Sequence, residues 1–376
     1  MCTVVAQEDD LSPKTSIPTF LEAKILFGSV LPHYSYMNYL SESYQKGVAV
    51  HYTIAPRDIT KYDFKWKFPD YGIGVRHITM GNAEKLGNLS MLYAVFNGKF
   101  YNKYDARLSS YYQINTGFAY AHKNMKKSLY NTAVSSPLSF FAAINCGLQF
   151  KIQKSTPPTW FQTSFIRLGI ELEHISNGKT TTPNLGFNSL LLTASYQQTI
   201  RYGWKPTDYK PQTKLETSHH NINLTAAGFF KTDDFVTEKK YFTSVFFAEY
   251  EWLSRAYWWG LQAGGDYFYD HSIAALKPKP TTWSEHKRLM DAGVHAGAFI
   301  KYSHVVLLLQ MGRYIGSTTQ SADFFTRVGL RYEWQRLFAN VSMRAHGATA
   351  QSVEMGVGYK IRLSPLNPPQ GDLKKQ

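Results

Sequence analysis

The stretch SVEMGVGYKI, Ser352–Ile361, decides the fold of this chain. Apolar and aromatic side chains alternate along it with small, polar or charged ones, and the same alternation returns at residues 47–54 and 327–334. A period of two residues is the signature of a β-strand, because successive side chains of a strand point to opposite faces. Each of these strands therefore has one apolar face and one polar or glycine-rich face.

The length of these runs points to a membrane. They extend over about 10 to 15 residues, whereas strands of soluble sandwiches are usually shorter. Tilted strands of this length cross a bilayer, with apolar residues outside, polar residues inside and aromatic residues at both interfaces. Aromatic residues make up 15% of the chain. We predict an all-β protein, an antiparallel transmembrane outer-membrane β-barrel over residues 19–363, with about 12 to 16 strands and 14 or 16 as the preferred number.

Composition excludes several other classes of protein. No stretch approaches 18 uncharged apolar residues, so no transmembrane helix is expected. The net charge is +14, but lysine and arginine are dispersed and no zinc-finger pattern occurs, so we expect no nucleic-acid partner. A basic surface also suits anionic lipid headgroups. Cys2 is nearly terminal and Cys146 lies in the middle of a predicted strand, so we predict no structural disulfide. We also predict neither a metal site nor a cofactor.

The ends and connections fit a barrel whose N-terminus lies in the periplasm. Residues 1–7 resemble a signal-peptide remnant, residues 8–18 a periplasmic N-terminal segment, and the proline-containing residues 364–376 a periplasmic tail. No change of composition marks a domain boundary. Connections after even-numbered strands are mostly short and the others longer, as in outer-membrane barrels. The connections at 56–70 and 203–218 break this rule, which predicts small plugs or partner-binding segments.

One hairpin, Leu168–Ser195, places polar groups on the apolar face of its strands. His174 and Ser176 continue the lipid-facing row of the first strand, near the end predicted to reach the outer leaflet. Asn188 starts the corresponding row of the returning strand. A hairpin symmetric about its loop sets Ser176 opposite Asn188 and His174 opposite Leu190, and cross-strand neighbours lie about 5 Å apart. A hydroxyl, an imidazole and a carboxamide are therefore expected to cluster at the membrane rim.

Such a cluster suits the cleavage of an acyl ester. That reaction needs a nucleophile, a base within hydrogen-bond reach and donors for an oxyanion. Residues two apart on a strand face the same way, so His174 and Ser176 can converge. The turn at residues 176–184 contains a glycine whose neighbouring N–H groups could bind an oxyanion. The alternative is that these are ordinary polar residues at the interface end of a hairpin.

The motifs HISNG at 174–178 and PNLG at 183–186 resemble the signature of the PagL family. These proteins are lipid A 3-O-deacylases, also called acyloxyacyl hydrolases, of Gram-negative outer membranes. The resemblance is specific over about residues 165–196 and weaker elsewhere, and typical members are small eight-stranded barrels, whereas this chain is much longer. It implies an outer-membrane serine esterase whose partners are lipid A, lipopolysaccharide and the surrounding lipids.

The resemblance also implies roles for residues of the hairpin. Ser176 is the expected nucleophile and His174 the general base. The oxyanion donors are expected in the turn, from Asn184 and a backbone N–H near Gly178 or Lys179, with Asn177 beside them.

One position departs from the family, because Asn188 stands where its members have a glutamate. An amide oxygen can orient an imidazole but cannot stabilise the imidazolium ion that forms during catalysis. Glu171 and Glu173 are predicted to face the lumen and are poor substitutes. Two outcomes stay open: a slower or retuned esterase, or an impaired PagL-like barrel serving as a structural subunit of an outer-membrane assembly or secretion complex. A solute channel, the third class, would need an open lumen.

Overall fold

Sixteen antiparallel strands account for most of the described chain, and they close into two separate barrels of eight strands each. The two closures pair the first strand of each barrel with its last. The computed structural model describes residues 17–32, 38, 42–57, 60–100, 107–129, 131–153, 163–201, 219–232, 239–272, 282–315, 322–347 and 349–363.

The first barrel begins at Thr19 and ends at Arg201. Its first strand is hydrogen-bonded to both the second and the eighth strand, which closes the ring. A short helix lies between its second and third strands. The elements are β1 (Thr19–Val30), β2 (Gln45–Ile54), α1 (Lys61–Lys65), β3 (Asp70–Thr79), β4 (Asn88–Lys99), β5 (Leu108–Ala121), β6 (Leu138–Gln153), β7 (Thr163–Ser176) and β8 (Phe187–Arg201).

The second barrel begins at His219 and ends at Leu363, and its first and last strands pair to close it. A short α-helix and a 3₁₀ turn at Lys287–Leu289 lie before its fourth strand. The elements are β9 (His219–Thr232), β10 (Lys240–Leu253), β11 (Trp259–Asp270), α2 (Trp283–His286), β12 (Met290–Tyr302), β13 (Val305–Ile315), β14 (Phe324–Trp334), β15 (Leu337–His346) and β16 (Thr349–Leu363).

The prediction of one barrel with 14 or 16 strands over residues 19–363 is therefore wrong about closure. The total of sixteen strands in the described chain agrees with the upper value, but they form two rings. Alternation along a strand reports that one face is apolar, and it does not report which distant strand completes the ring. The connection at 203–218, predicted as a plug or partner-binding segment, follows β8 in the sequence, and residues 202–218 are outside the described part. The predicted segments 1–7 and 364–376, and most of 8–18, are also outside it.

The two faces of the strands have the polarity that a bilayer requires. Along β7, the outward side chains Ile166, Leu168, Ile170 and Leu172 are between 43% and 58% exposed, whereas the inward Arg167 is buried. Large apolar side chains outside and charged ones inside are the arrangement of a membrane barrel. The sequence prediction of outward and inward faces is confirmed. Within the described residues, no helix is both long and apolar enough to cross a membrane.

Ion pairs and hydrogen bonds fill the interior of the first barrel. Arg76 bridges two carboxylates of β7, with Nη2 at 2.6 Å from Glu171 and Nη1 at 2.5 Å from Glu173. Lys24 donates to Gln113 at 2.5 Å. These side chains are almost fully buried. The interior of an eight-stranded barrel is just wide enough for side chains to fill, and here buried charges of opposite sign fill it.

The second barrel has an equivalent interior built around two arginines. Arg331 donates to Glu249 at 2.6 Å and to Glu251 at 3.1 Å, and Arg327 donates to Asp266 at 2.8 Å and to Glu354 at 2.7 Å. Both arginine side chains are fully buried. The described parts of the two interiors are thus occupied by paired charges, which does not favour the solute channel.

We expect Arg331→Met to destabilise the second barrel by about 3 to 5 kcal/mol, because it leaves Glu249 and Glu251 buried without their shared cation. The measurement is urea-induced unfolding of the protein in phospholipid vesicles. Arg313→Met on the neighbouring strand is the matched control: Arg313 is exposed, stacks 5.5 Å from the Phe324 ring, and should cost less than about 1 kcal/mol. Equal decreases in the free energy of unfolding of the two variants would contradict the structural role of the interior ion pairs.

The two barrels contact each other near α1, which lies in the long connection between β2 and β3. The Tyr302 hydroxyl at the end of β12 donates to Asp63 Oδ1 at 2.6 Å, and Trp66 Nε1 donates to the carbonyl oxygen of Lys301 at 3.0 Å. The Trp66 ring also packs edge-on against Trp258, with 5.9 Å between centroids. The segment at 56–70, predicted as a plug or partner-binding segment, therefore contacts the other barrel of the same chain.

Candidate active site

The polar cluster lies on the outer wall of the first barrel, at the end of β7. His174 and Ser176 continue the outward row that begins with the exposed Ile166, and the residue between them, Ile175, faces inward and is fully buried. This end of the barrel carries the connections 122–137 and 177–186. The structure thus places both side chains in the outward row of β7, as the alternation of the sequence indicates, and Ser176 is buried there.

The register of the hairpin differs from the predicted one by two residues. His174 lies opposite Asn188, and Leu190 lies opposite Leu172. The predicted pairs, Ser176 with Asn188 and His174 with Leu190, are wrong because the loop is not symmetric about the assumed centre. It spans residues 177–186, where Gly186 N donates to Ala133 O at 3.0 Å and so holds the loop on the preceding connection.

The corrected register lets Asn188 contact the imidazole directly. His174 Nδ1 and Asn188 Oδ1 are 2.7 Å apart, so the ring donates its N–H to the amide oxygen. A proton on Nδ1 leaves Nε2 with a free lone pair. Among the described residues, Nε2 is buried and has no hydrogen-bond partner. His174 is thus held in the tautomer that can accept a proton at Nε2.

Two donors converge on the hydroxyl of Ser176. Asn184 Nδ2 donates to Ser176 Oγ at 2.8 Å, and the backbone N–H of Gly178 donates to it at 3.1 Å. Ser176 is 3% exposed, so these bonds are largely shielded from water. The Gly178 backbone has a φ of +64°, a left-handed conformation that favours glycine. The prediction that Asn184 and the Gly178 N–H lie beside the serine agrees with this geometry.

Asn177 supports the loop and does not point at the serine. Its backbone N–H donates to Asn184 Oδ1 at 3.0 Å, which turns the amide nitrogen of Asn184 toward Ser176. Its own amide nitrogen donates to Ser135 Oγ at 3.0 Å and to Thr181 Oγ1 at 2.8 Å. Sequence reasoning missed Ser135, because nothing near the motif indicates that the connection after β5 would reach the loop. It also missed Thr181, which lies in the loop itself.

The expected hydrogen bond between His174 and Ser176 is not present among the described residues, since His174 Nε2 has no partner there. Catalytic hydrogen bonds of substrate-free enzymes are often long and tighten only when substrate binds. The two groups share a face of one strand, two residues apart. Ser176 Oγ meanwhile accepts from the two donors of the loop.

No carboxylate of β7 joins this cluster. Glu171 and Glu173 face the lumen, as predicted, and both are bound to Arg76. Asn188 therefore remains the partner of the imidazole. In the described part of the chain, no group of three or more His, Cys, Asp and Glu residues could hold a metal ion.

Apolar side chains surround the cluster on the outer wall. Phe140 of β6 lies opposite Ser176, and Ala142 lies opposite His174. The Phe140 ring packs on Phe118 with 5.6 Å between centroids, and Leu172 below the histidine is 58% exposed. A surface of this kind can contact hydrocarbon chains while the polar groups contact an ester.

Comparison with known proteins connects each barrel with one family. A sequence model of the family described as lipid A 3-O-deacylase (PagL) matches residues 51–197, and one described as acyloxyacyl hydrolase, C-terminal domain, matches residues 220–363. The first match runs from the end of β2 through most of β8 and includes the cluster, and the second covers nearly all of β9 and extends to the end of β16. No curated protein matches the chain.

Several solved structures also match most of the chain, at low identity and with low TM-scores. CdiB from Acinetobacter baumannii is 8% identical with a TM-score of 0.18, and the match covers 92% of this chain and 60% of that one. OccK5 (OpdH) of Pseudomonas aeruginosa is 7% identical with a TM-score of 0.23, covering 93% and 98%. A mutant Rh. blastica porin is 7% identical with a TM-score of 0.18, covering 92% and 100%.

The family matches fall on the two units that the structure defines. Together they extend from the second strand of the first barrel to the last strand of the second. The motifs HISNG and PNLG lie within the first match. The chain is therefore an outer-membrane β-barrel protein of the PagL family, with a deacylase domain in its first barrel and the acyloxyacyl hydrolase C-terminal domain in its second.

Proposed function

We propose that this chain is an outer-membrane serine esterase that removes an ester-linked acyl chain from lipid A. The observation that carries the proposal is the surrounding of Ser176 Oγ: two N–H donors at 2.8 and 3.1 Å, beside an imidazole whose Nε2 is free, on the lipid-facing wall. A nucleophile, a base and oxyanion donors are the groups that acyl transfer needs.

In the proposed reaction, Ser176 Oγ attacks the carbonyl carbon of the ester while its proton passes to His174 Nε2. The carbonyl oxygen becomes an oxyanion, which binds the N–H groups of Asn184 and Gly178. Collapse of this intermediate breaks the bond to the sugar oxygen, and His174 returns the proton to that leaving oxygen. Water then attacks the acyl-serine ester by the same steps, which releases the fatty acid and restores Ser176.

The outward direction of the site suits this substrate. The acyl chains of lipid A lie inside the bilayer, so an enzyme that cleaves them needs its nucleophile on the outer wall and not in the lumen. The site lies near one end of the strands, where the ester-bearing sugars meet the hydrocarbon. The longest connection of the first barrel, 122–137, lies at this end, which favours placing it in the outer leaflet.

The direct test is the mass of lipid A from Gram-negative cells that produce the chain. We expect lipid A to lose the mass of one hydroxyacyl or acyl chain with the wild-type protein and to keep its full mass with Ser176→Ala produced at the same level. Unchanged lipid A with both proteins, and also with Asn188→Glu, would contradict the esterase and favour the structural-subunit alternative.

Asn188→Glu is expected to raise kcat by about tenfold. A carboxylate that accepts the His174 N–H forms a charge-assisted hydrogen bond and stabilises the imidazolium ion, and the gain over a neutral bond is about 1 to 2 kcal/mol. Asn188→Gln is the matched control, because it has the length of glutamate without its charge. The measurement is the rate of fatty-acid release from lipid A in detergent micelles. An equal increase with Asn188→Gln would show that length, and not charge, limits the native site.

A further inference from the structure

The loop that carries the oxyanion donor touches the second barrel. Thr232, the last residue of β9, donates from Oγ1 to the carbonyl oxygen of Thr180 at 2.9 Å and from its backbone nitrogen to the carbonyl oxygen of Lys179 at 3.2 Å. Val353 of β16 lies against Gly178, since a Cβ atom added to this glycine would come within 2.2 Å of Val353 Cγ2. We call residues 178–180 the oxyanion loop.

The burial of Val353 shows that this contact covers the outer wall of the second barrel. Val353 belongs to the outward row of β16, between the inward-facing Ser352 and Glu354. Val357, four residues along the same row, is 67% exposed, whereas Val353 is 3% exposed. Thr232 is likewise buried, at 1%. The oxyanion loop therefore rests on a closely packed surface of the other barrel.

The backbone of the oxyanion loop needs such support. Gly178 and Lys179 are consecutive residues with positive φ, +64° and +63°. A left-handed conformation is readily adopted by glycine but is strained for a residue with a Cβ such as lysine. Conformations of this kind persist when the surrounding contacts fix them. Here the contacts from Thr232 hold the carbonyl groups of the loop, while the Gly178 N–H faces Ser176 on the other side.

We infer that the second barrel positions the oxyanion donor of the first, through Thr232 and Val353. This inference rests on the proposed esterase function. Thr232 and Val353 are positioning residues: they act on Gly178 through the loop and are not assigned contact with the substrate. The active site is then complete only in the two-barrel chain, which gives the C-terminal domain a role in the reaction.

The test uses the full chain with four single substitutions. Thr232→Val removes the hydroxyl donor and keeps the shape, and Thr243→Val is its control, since the Thr243 hydroxyl also donates to a backbone carbonyl of the second barrel, that of Phe229, at 3.2 Å. Val353→Ala removes the contact with Gly178, and Val357→Ala makes the same change on the same row, away from the loop.

Two measurements are made on each variant: kcat and KM for fatty-acid release, and the rate of trypsin cleavage after Lys179, identified by peptide mass. Loss of one hydrogen bond corresponds to about a two- to tenfold change. We expect Thr232→Val and Val353→Ala to lower kcat by about two- to tenfold with KM nearly unchanged, and to speed cleavage after Lys179 by a similar factor. The two controls should match the wild type in both measurements.

The effect of Val353→Ala on kcat should have opposite signs in the wild-type chain and in the Gly178→Ala variant. Gly178→Ala should lower kcat, because its Cβ meets Val353 and its φ is positive. Adding Val353→Ala to Gly178→Ala should recover part of the lost kcat, whereas adding Val357→Ala should recover none. The same Val353→Ala change thus lowers kcat in the wild-type background and raises it beside Ala at position 178.

The outcomes separate this inference from the proposed function. In one outcome, the wild-type chain releases fatty acid while Thr232→Val and Val353→Ala match their controls in either measurement. That result overturns the positioning role and leaves the esterase proposal intact. A wild-type chain that releases no fatty acid overturns the esterase and, with it, the catalytic role of the second barrel. In that case, faster cleavage after Lys179 in the two variants would still support the structural contact alone.

Discussion

Ser176→Ala is expected to lower kcat for fatty-acid release from lipid A by a factor of about 10⁴ or more, since removal of the nucleophile in serine hydrolases has effects of this size. Alanine leaves the Asn184 and Gly178 donors in place but provides no oxygen to form the acyl-enzyme. The loss should fall on kcat, because the apolar wall around Phe140 and Leu172, the proposed binding surface for the acyl chain, is unchanged. The measurement is the release of free fatty acid in detergent micelles.

Ser139→Ala is the matched control for this prediction. Ser139 lies on β6, one residue before Phe140, but it faces the lumen and is 2% exposed. Ser139→Ala removes a hydroxyl group from the same region and leaves the outer wall unchanged, so kcat for fatty-acid release should be unchanged. If Ser176→Ala kept more than about a tenth of the activity, a covalent serine mechanism would be wrong, and water activated by His174 would become the better explanation.

Asn184→Asp is expected to lower kcat by about 10² to 10³, the effect of removing one oxyanion donor. Aspartate has nearly the shape of asparagine and can still accept the Asn177 N–H through the equivalent oxygen. Its second oxygen replaces the Nδ2 group that now donates to Ser176 Oγ at 2.8 Å, so a negative charge would face the developing oxyanion. KM should change little, because this contact strengthens mainly in the transition state.

Asn88→Asp provides the same change of charge at the same end of the first barrel. Asn88 is the first residue of β4 and is outside the cluster around Ser176. The kcat of this variant should equal that of the wild type. A decrease in kcat that Asn184→Asp and Asn88→Asp share would indicate a general electrostatic effect on lipid A binding. An increase in KM with unchanged kcat in Asn184→Asp would show that Asn184 binds the ground state.

Part of the candidate site could be predicted from the sequence because it depends on local geometry. His174 and Ser176 share a face through the two-residue period of a strand, and the apolar residues before them identify that face as the outer one. Asn184 and Gly178 lie close to the serine along the chain, so a compact loop brings them together. Glu171 and Glu173 alternate with the outward residues, which predicts the inward positions in which they bind Arg76.

The rest of the site depends on contacts between distant segments. Ser135 belongs to the connection after β5 and Thr232 to the other barrel, and no motif marks either as a neighbour of the loop. The register of the β7–β8 hairpin also depends on a distant segment. The backbone N–H of Gly186 donates to the carbonyl oxygen of Ala133, which ties the loop before β8 to the preceding connection. A symmetric hairpin is a reasonable assumption only when the loop makes no contact outside itself.

By itself, the sequence determined the strands, their apolar and polar faces, and the face of β7 that carries His174 and Ser176. These properties follow from alternation within each strand, which is a local property. Only the tertiary structure decided that the sixteen strands close as two rings, that Asn188 faces His174, and that the second barrel contacts the oxyanion loop. Closure and docking are set by the pairing of residues far apart in the chain, and a strand has the same alternation whichever partner completes its ring.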